Sequence, residues 1–199
     1  MGKILERIIY DRLLPLIEQK GALSEYQYGF RKSRSTIDAV NAVKNMAANA
    51  IAGKRWKEGT KEYCAVVTLD VKNAFNSANW RHIKMALLKM EAPRYIREMI
   101  TSYLTNRKLM YLSGKGTEIF EVTAGVTQGS VLGLLLWNIM YDEVLRLQLP
   151  PGVKIIGFAD DIAIVTVAKH IHQVEESTNT AIAQVKNWLE SASLDLAEQ

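Results

Sequence analysis

Apolar residues recur at helical spacing near the start of the chain, at Ile4, Leu5, Ile8, Ile9, Leu13, Leu16 and Ile17, and Gly21 closes the run. Pro15 lies inside it, where a missing amide proton and a bulky ring predict a kink or a split. Ser35 is placed to cap a second helix with Ile37, Val40, Val43 and Ala47 on one face, ending before Gly53. Tyr63 to Leu69 is β-branched and apolar and predicts a buried strand that stops at Asp70. Helical patterns follow over about 79–90 and, after Pro93, over about 94–104. Lys108 to Val122 alternates around Ser113-Gly114-Lys115-Gly116, the pattern of a hairpin. Gly125 to Gly129 predicts a loop, and Ser130 leads into an apolar helix reaching about Arg146. Lys154–Phe158 and Ile162–Val167 are predicted strands on either side of Ala159-Asp160-Asp161, and a last helix covers about 171–191. Strands and helices alternate without a regular βαβ period, so the expected class is α+β, a sheet backed by helices. Met85, Met90 and Met99 fall at helical positions and are expected in the core. Trp56, Trp80, Trp137 and Trp188 are expected to pack rather than to stack on bases.

Composition narrows the function classes. The chain has 199 residues, 48% of them hydrophobic and 23% charged, enough apolar material for a real core. Its most apolar stretch, Val131 to Met140, is half the roughly 20 residues a membrane span needs, so no membrane partner is expected. Met1-Gly2-Lys3 opens like a myristoylation signal, but Glu6 stands where Ser or Thr is required. A single cysteine, Cys64, can form neither an internal disulfide nor a cysteine zinc site, and in an apolar strand it is expected to be inert. That usage fits an intracellular setting. His82, His170 and His172 have no partners at metal-site spacing. Charge changes the picture more. Residues 1–116 hold 21 Lys and Arg against 10 Asp and Glu, whereas residues 117–199 hold 4 against 11. A basic half suits a polyanion, and an acidic half can concentrate carboxylates.

Three of those carboxylates stand out. Asp70 ends one apolar strand, and Asp160-Asp161 lies where two others would turn. If the strands pair, all three meet at one end of a sheet, where they repel unless divalent cations neutralise them. Oxygen-only ligands suit Mg²⁺, and two such ions about 4 Å apart can activate a 3′-hydroxyl and stabilise a leaving pyrophosphate. The plainer reading stays open on this evidence: Asp70 caps a turn, and Asp160-Asp161 is a solvated hairpin tip.

The surrounding residues point further. The chain contains Gly29-Phe30-Arg31-Lys32-Ser33-Arg34-Ser35-Thr36, then Leu69-Asp70-Val71-Lys72-Asn73-Ala74-Phe75-Asn76. Gly125-Val126-Thr127-Gln128-Gly129-Ser130-Val131-Leu132-Gly133 and Phe158-Ala159-Asp160-Asp161 follow. In this order and spacing they resemble the reverse transcriptase domain of non-LTR (LINE-type) retrotransposons, most closely the arthropod kinds. The resemblance implies a right-hand polymerase fold, with fingers mainly over 1–60, an antiparallel palm sheet backed by helices mainly over 61–199, and the thumb missing. It implies RNA-directed DNA polymerase activity, with an RNA template, a DNA primer and dNTP as partners. Two Mg²⁺ ions are the implied cofactors, Mn²⁺ being an alternative. Asp70, Asp160 and Asp161 match the catalytic, metal-binding aspartates, and the Val71 carbonyl matches a further metal ligand. Phe75 matches the aromatic gate beneath the sugar that excludes a 2′-hydroxyl, although core packing would equally use such a residue. Gln128 matches the glutamine against the incoming nucleotide, and Arg31, Lys32 and Arg34 match the basic segment that meets the triphosphate and template. Nuclear localisation follows from the resemblance alone.

Four positions depart from the family pattern. Thr127 and Leu134 stand where proline is usual, Ser33 where glycine is, and Asn76 where aspartate is common. None is a metal ligand. The chain ends at Gln199, before the family's lysine-bearing segment and thumb, which reads as a fingers-plus-palm fragment of a longer polyprotein, weak or inactive by itself. Two other functions compete. One is a non-catalytic nucleic-acid-binding relic. The other is an RNA-directed RNA polymerase, against which Phe75 and Ala159 speak.

Overall fold

The structure, a computed structural model, describes residues 2–19, 21–54, 61–114 and 116–197. Trp56 and the hairpin residue Lys115 lie outside the described residues. In chain order the helices and strands are α1 (Gly2–Gln19), α2 (Thr36–Ile51), β1 (Tyr63–Leu69), β2 (Val71–Lys72), α3 (Ala74–Ser77), α4 (Trp80–Lys89) and α5 (Arg94–Leu104). They continue with β3 (Lys108–Ser113), β4 (Gly116–Glu121), α6 (Val131–Tyr141), β5 (Val153–Phe158), β6 (Asp161–Ala168), α7 (Ile171–Ser191) and β7 (Asp195–Leu196). Two units share these elements: residues 1–23 with 73–140, and residues 24–72 with 141–199.

The second unit is built on the expected apolar strands, which form an antiparallel sheet in the order β1-β6-β5. Side chains alternate between its faces. Val165 faces α2, where Ala39 and Ile156 are buried with it and Val43, Met46 and Tyr26 pack around them. Thr166, the next residue, faces α7, and the Thr178 hydroxyl donates to the Thr166 hydroxyl at 2.9 Å. Val174, Ala181, Val185 and Leu189 are the buried residues of α7 that cover that face. The face of α2 in contact with the sheet matches the expected one only in part: Val43 packs there, whereas Ile37 and Val40 are 70% and 60% exposed. Small Ala39 lets the helix lie close to the strands, with Val43 and Met46 beside it. Ser35 caps α2 as expected, in a reciprocal box with Asp38.

The first unit buries Ile9, Leu13 and Ile17 of α1 with Ile83 and Leu87 of α4 and Ile96, Ile100 and Leu104 of α5. Pro15 does not split α1, which runs unbroken past it with Pro15 on the exposed side between buried Leu13 and Ile17. Met85 is 46% exposed and is not a core residue, because α4 turns Ile83, Ala86 and Leu87 inward instead. The β3–β4 hairpin forms in the expected register and pairs with no other strand among the described residues. The apolar helix α6 stops at Tyr141 rather than near Arg146, and only a short 3₁₀ turn, Val144–Arg146, follows. The break coincides with Asp142, whose buried carboxylate accepts the Ser24 amide and the Arg146 guanidinium. No helix among the described residues is long and apolar enough to cross a membrane.

Replacing Ser35 by alanine removes the hydroxyl arm of the α2 capping box and leaves the bond from the residue-35 amide to the Asp38 carboxylate, and a loss of about 1 kcal/mol in unfolding free energy is expected by urea denaturation.

Candidate active site

The sheet register places the three aspartates. Leu69 pairs with Ile162, and Phe158 pairs with Asp161, so β1 ends at the same level as the β5–β6 turn. Asp70 follows directly on β1, and its carbonyl accepts the Ala197 amide at 2.9 Å, which fixes where β1 gives way to β2. Burial, and beyond it the charge of Asp70, lifts the Asp160 carboxyl above its ordinary value against the pull of a backbone hydrogen bond. Burial also lifts Asp161, with Asp160 and then Asp70 adding to it. Asp160 thus feels the charge of Asp70, and Asp161 that of both. Among the described residues, however, no three His, Cys, Asp or Glu side chains are close enough together to hold an ion. The donor set still fits a hard divalent cation: it is all oxygen, with no histidine or cysteine, and its mutual repulsion is what a cation would relieve. Val71, the further expected ligand, is a buried residue of β2 paired with Leu196.

The turn that carries Asp160 is held tightly. Ala159 has a left-handed backbone, φ +58°, a conformation that costs an L-residue about 1 kcal/mol. A side chain at Gly29 would put its Cβ 2.1 Å from the Ala159 nitrogen, so only glycine permits this approach. Tyr28 donates its amide to the Gly157 carbonyl at 2.8 Å, and Gly157 donates to Tyr26 at 2.9 Å, which fastens the 26–29 segment along β5. On the other side Tyr141, fully buried, donates its hydroxyl towards the Asp161 carbonyl at 3.0 Å and the Asp160 carbonyl at 3.4 Å.

The basic segment begins immediately after Gly29. Arg31 donates to the carbonyls of Ser24 at 2.6 Å and Gln27 at 3.3 Å, tying down the loop that Asp142 anchors from its other end. Arg34 stacks its guanidinium over the Tyr28 ring, 5.0 Å from the centroid, and donates to the Glu25 carbonyl. Lys32 is exposed. The two arginines therefore shape their own loop as well as contributing charge.

Phe75 and Gln128 belong to the first unit, and the backbone joins them. The Val126 amide donates to the Phe75 carbonyl at 2.7 Å, and the Gly125 amide to the Ala78 carbonyl at 2.8 Å. The indole of Trp80 donates to the Gly125 carbonyl at 2.8 Å. A Cβ at Gly125 would lie 2.6 Å from the Asn76 carbonyl oxygen. Phe75 is buried with its ring 5.0 Å from that of Trp137, so core packing does account for part of its role. Gln128 is exposed. Thr127, beside it, accepts a hydrogen bond from Arg107 at 3.3 Å, and Arg107 lies over the Tyr103 ring.

Sequence reasoning missed several parts of this arrangement. Gly29 stood in a quoted motif without a role, and a glycine before a basic run carried the signal. Tyr141 sits at the end of an apolar run, with nothing in the sequence to mark it. His170 and His172 stack their exposed rings at 5.4 Å at the start of α7. Trp80, Trp137 and Trp188 are partly or fully buried, as packing requires.

Comparisons with known proteins agree with one another. A family model described as reverse transcriptase (RNA-dependent DNA polymerase) matches residues 1–199. The chain is 29% identical over 197 residues to a probable RNA-directed DNA polymerase from transposon X-element of Drosophila melanogaster, covering 94% of the chain and 20% of that protein. It is 28% identical over 198 residues to the RNA-directed DNA polymerase from mobile element jockey of the same organism, covering 96% of the chain and 21% of that protein. The chain thus spans about a fifth of the length of these relatives. Apo telomerase from Candida tropicalis shares the fold, with a TM-score of 0.64 at 13% identity over 98% of the chain and 35% of telomerase. The α+β, right-hand polymerase architecture is therefore the correct class.

Two outcomes are expected at this site. Gly29→Ala forces backbone against backbone at Ala159 and costs about 3 kcal/mol of stability, read by denaturation. The raised carboxyls set a pH dependence whose sign is fixed. A folded state that binds protons more tightly than the unfolded chain loses stability as pH rises from the unfolded carboxyl value through the raised folded one. In EDTA, an Asp160→Asn, Asp161→Asn double variant should lack that part of the fall, so that its stability relative to wild type improves towards neutral pH. Parallel curves would show that the folded state does not raise these two carboxyls.

Proposed function

The chain belongs to the reverse transcriptase (RNA-dependent DNA polymerase) family, and on that footing we propose that it carries the chemical centre of an RNA-directed DNA polymerase. The reaction is templated transfer of a nucleotide from dNTP to the 3′-hydroxyl of a DNA primer on an RNA template, within a retrotransposon polyprotein. One observation carries the reading most: the pairing of β1, β6 and β5 brings Asp70, Asp160 and Asp161 to one end of a sheet, where burial and then neighbouring carboxylate charge lift the Asp160 and Asp161 carboxyls above their ordinary value.

Asp70, Asp160 and Asp161, with the Val71 carbonyl, would hold the divalent cations, Mg²⁺ in the first instance or Mn²⁺. Bound there, such ions supply activation of the primer hydroxyl and neutralisation of charge on the leaving pyrophosphate. Phe75 forms the floor beneath the sugar. Its ring is backed by Trp137 at 5.0 Å, so it cannot give way to a 2′-hydroxyl, and deoxynucleotides are selected. Gln128 lies against the incoming nucleotide, with its loop fastened to the Phe75 backbone by the Val126 amide. Lys32, Arg31 and Arg34 provide positive charge for the triphosphate and template backbone, so binding weakens as salt rises. On this reading the protein works where chromosomal DNA is available, in the nucleus.

Primer extension on poly(rA)–oligo(dT) with Mg²⁺ and dTTP tests the proposal. Weak extension by the wild-type chain that falls to background in Asp160→Ala is the expected result, and equal extension by both would overturn it. Phe75→Val should raise incorporation of ribonucleotide relative to deoxynucleotide by about tenfold or more, through the space opened under the sugar. An unchanged ratio would return Phe75 to a packing role alone.

A further inference from the structure

Metal-binding carboxylates act together only if the backbone that bears them is held still. Asp160 and Asp161 hang from a two-residue turn whose first member, Ala159, is in the left-handed region at φ +58°. Glycine or asparagine adopts that conformation readily, whereas alanine does not. A turn with this sequence therefore depends on contacts from outside to keep its shape.

Two contacts provide them. Gly29 closes on the Ala159 backbone from the 26–29 segment, as described. The second comes from Tyr141, the last residue of α6, which is fully buried. Its hydroxyl proton is shared between the carbonyl oxygens of Asp161, at 3.0 Å, and Asp160, at 3.4 Å. These are the backbone carbonyls of the two carboxylate-bearing residues themselves. The ring is seated over Gly157, where a Cβ would fall 2.9 Å from Tyr141 Cε1, so β5 leaves a space that the tyrosine fills. The next residue, Asp142, is anchored to the Ser24 amide at 2.5 Å and to Arg146. The end of α6 is thereby fixed, and Tyr141 with it. Burial, and then the charges of Asp160, Asp161 and Asp70, push its phenol far above the ordinary tyrosine range, so it remains a proton donor.

We propose that Tyr141 is a positioning residue for the Asp160–Asp161 turn, and that its hydroxyl sets how closely the two carboxylates come together when a divalent cation binds. This rests on the reading that these carboxylates hold the cation. Tyr141 touches neither nucleotide nor primer in this role. It acts only through the backbone of the residues that do the chemistry, as outer partners of metal ligands commonly do.

The test is Mn²⁺ binding to the whole chain, followed by the paramagnetic resonance of free Mn²⁺, in wild type, Tyr141→Phe, Ile139→Val and Asp160→Asn. Phenylalanine keeps the ring over Gly157 and removes only the hydroxyl. A folded Tyr141→Phe with Mn²⁺ affinity weakened by about tenfold, the scale expected for outer partners of metal ligands, supports the proposal. Ile139→Val removes a methylene from the core of the same helix and should bind Mn²⁺ as wild type does. Equal weakening in Ile139→Val would mean that general loosening of α6, not the hydroxyl, is responsible, and would overturn the proposal. So would wild-type affinity in Tyr141→Phe. Wild-type binding that Asp160→Asn leaves unchanged would instead bring down the underlying carboxylate reading, and the role of Tyr141 with it. A second measurement needs no substitution at Tyr141. In the chain carrying [ζ-¹³C]tyrosine at position 141 alone, its resonance should move when Mg²⁺ is added, and should stay still in Asp160→Asn. A resonance that ignores Mg²⁺ in the wild type overturns the proposal even if Tyr141→Phe fails to fold.

Discussion

Like-charge repulsion at the end of the β1-β6-β5 sheet is the constraint on which the functional arrangement of this chain turns. Three carboxylates are brought there by strand register, and two of them are harder to ionise than an ordinary aspartate, through burial first and the neighbouring charges second. Nothing local favours such a gathering. It is held by the apolar strands below it, where Ile156, Ile162, Ile164 and Val165 are buried, and by helices on both faces. A sheet alternates its side chains with period two, so a slip of one residue would turn Asp70 or Asp161 to the opposite face and bury the wrong set. The same apolar pattern that stabilises the sheet therefore fixes the charges.

Fine placement falls to contacts that allow backbones to come unusually close. At Gly29 the absence of a side chain lets one segment touch the Ala159 nitrogen, and at Gly157 it makes room for a tyrosine ring. In the other unit Gly125 does the same against the Asn76 carbonyl, and Gly133 leaves space for the Thr127 carbonyl over the first turn of α6. A methyl group at Gly29, Gly125 or Gly133 displaces backbone, which is far less forgiving than a flexible side chain, whereas at Gly157 it meets the side chains of Tyr141 and Leu145.

The strands, most helices and the meeting of the aspartates were legible because they depend on periodicity and on residues close in sequence. Ile9, Leu13 and Ile17 report a helix directly, and Tyr63 to Leu69 reports a strand that stops at a charge. What was not legible came from tertiary packing. The face of α2 that meets the sheet was legible only in part because Ala39 looks bland beside Ile37 and Val40, and only a neighbouring sheet favours the small residue. Met85 matched a helical period but faces outward, since three other residues of α4 suffice to fill the interface. The end of α6 was placed too late because Asp142 looks like an ordinary polar break, yet its partner Ser24 is distant in sequence. Tyr141 was hidden for a similar reason: its role depends on Asp160 and Asp161, which come later in the chain.

The four departures from the family pattern are accommodated by local contacts to different degrees. Three of the substituted residues are engaged in hydrogen bonds. Leu134 donates its amide to the Ser130 carbonyl at 3.2 Å, a bond proline could not make, and α6 accordingly starts at Val131. Thr127 accepts from Arg107 at 3.3 Å, tethering a loop that lacks the fixed φ of proline. Asn76 donates to the Asn73 side chain at 2.7 Å, joining two neutral groups. Only Ser33 carries an evident cost, with φ +61° at a position where glycine would be unstrained. The substitutions change how two loops and the first turn of α6 are held, and none of them is one of the three aspartates.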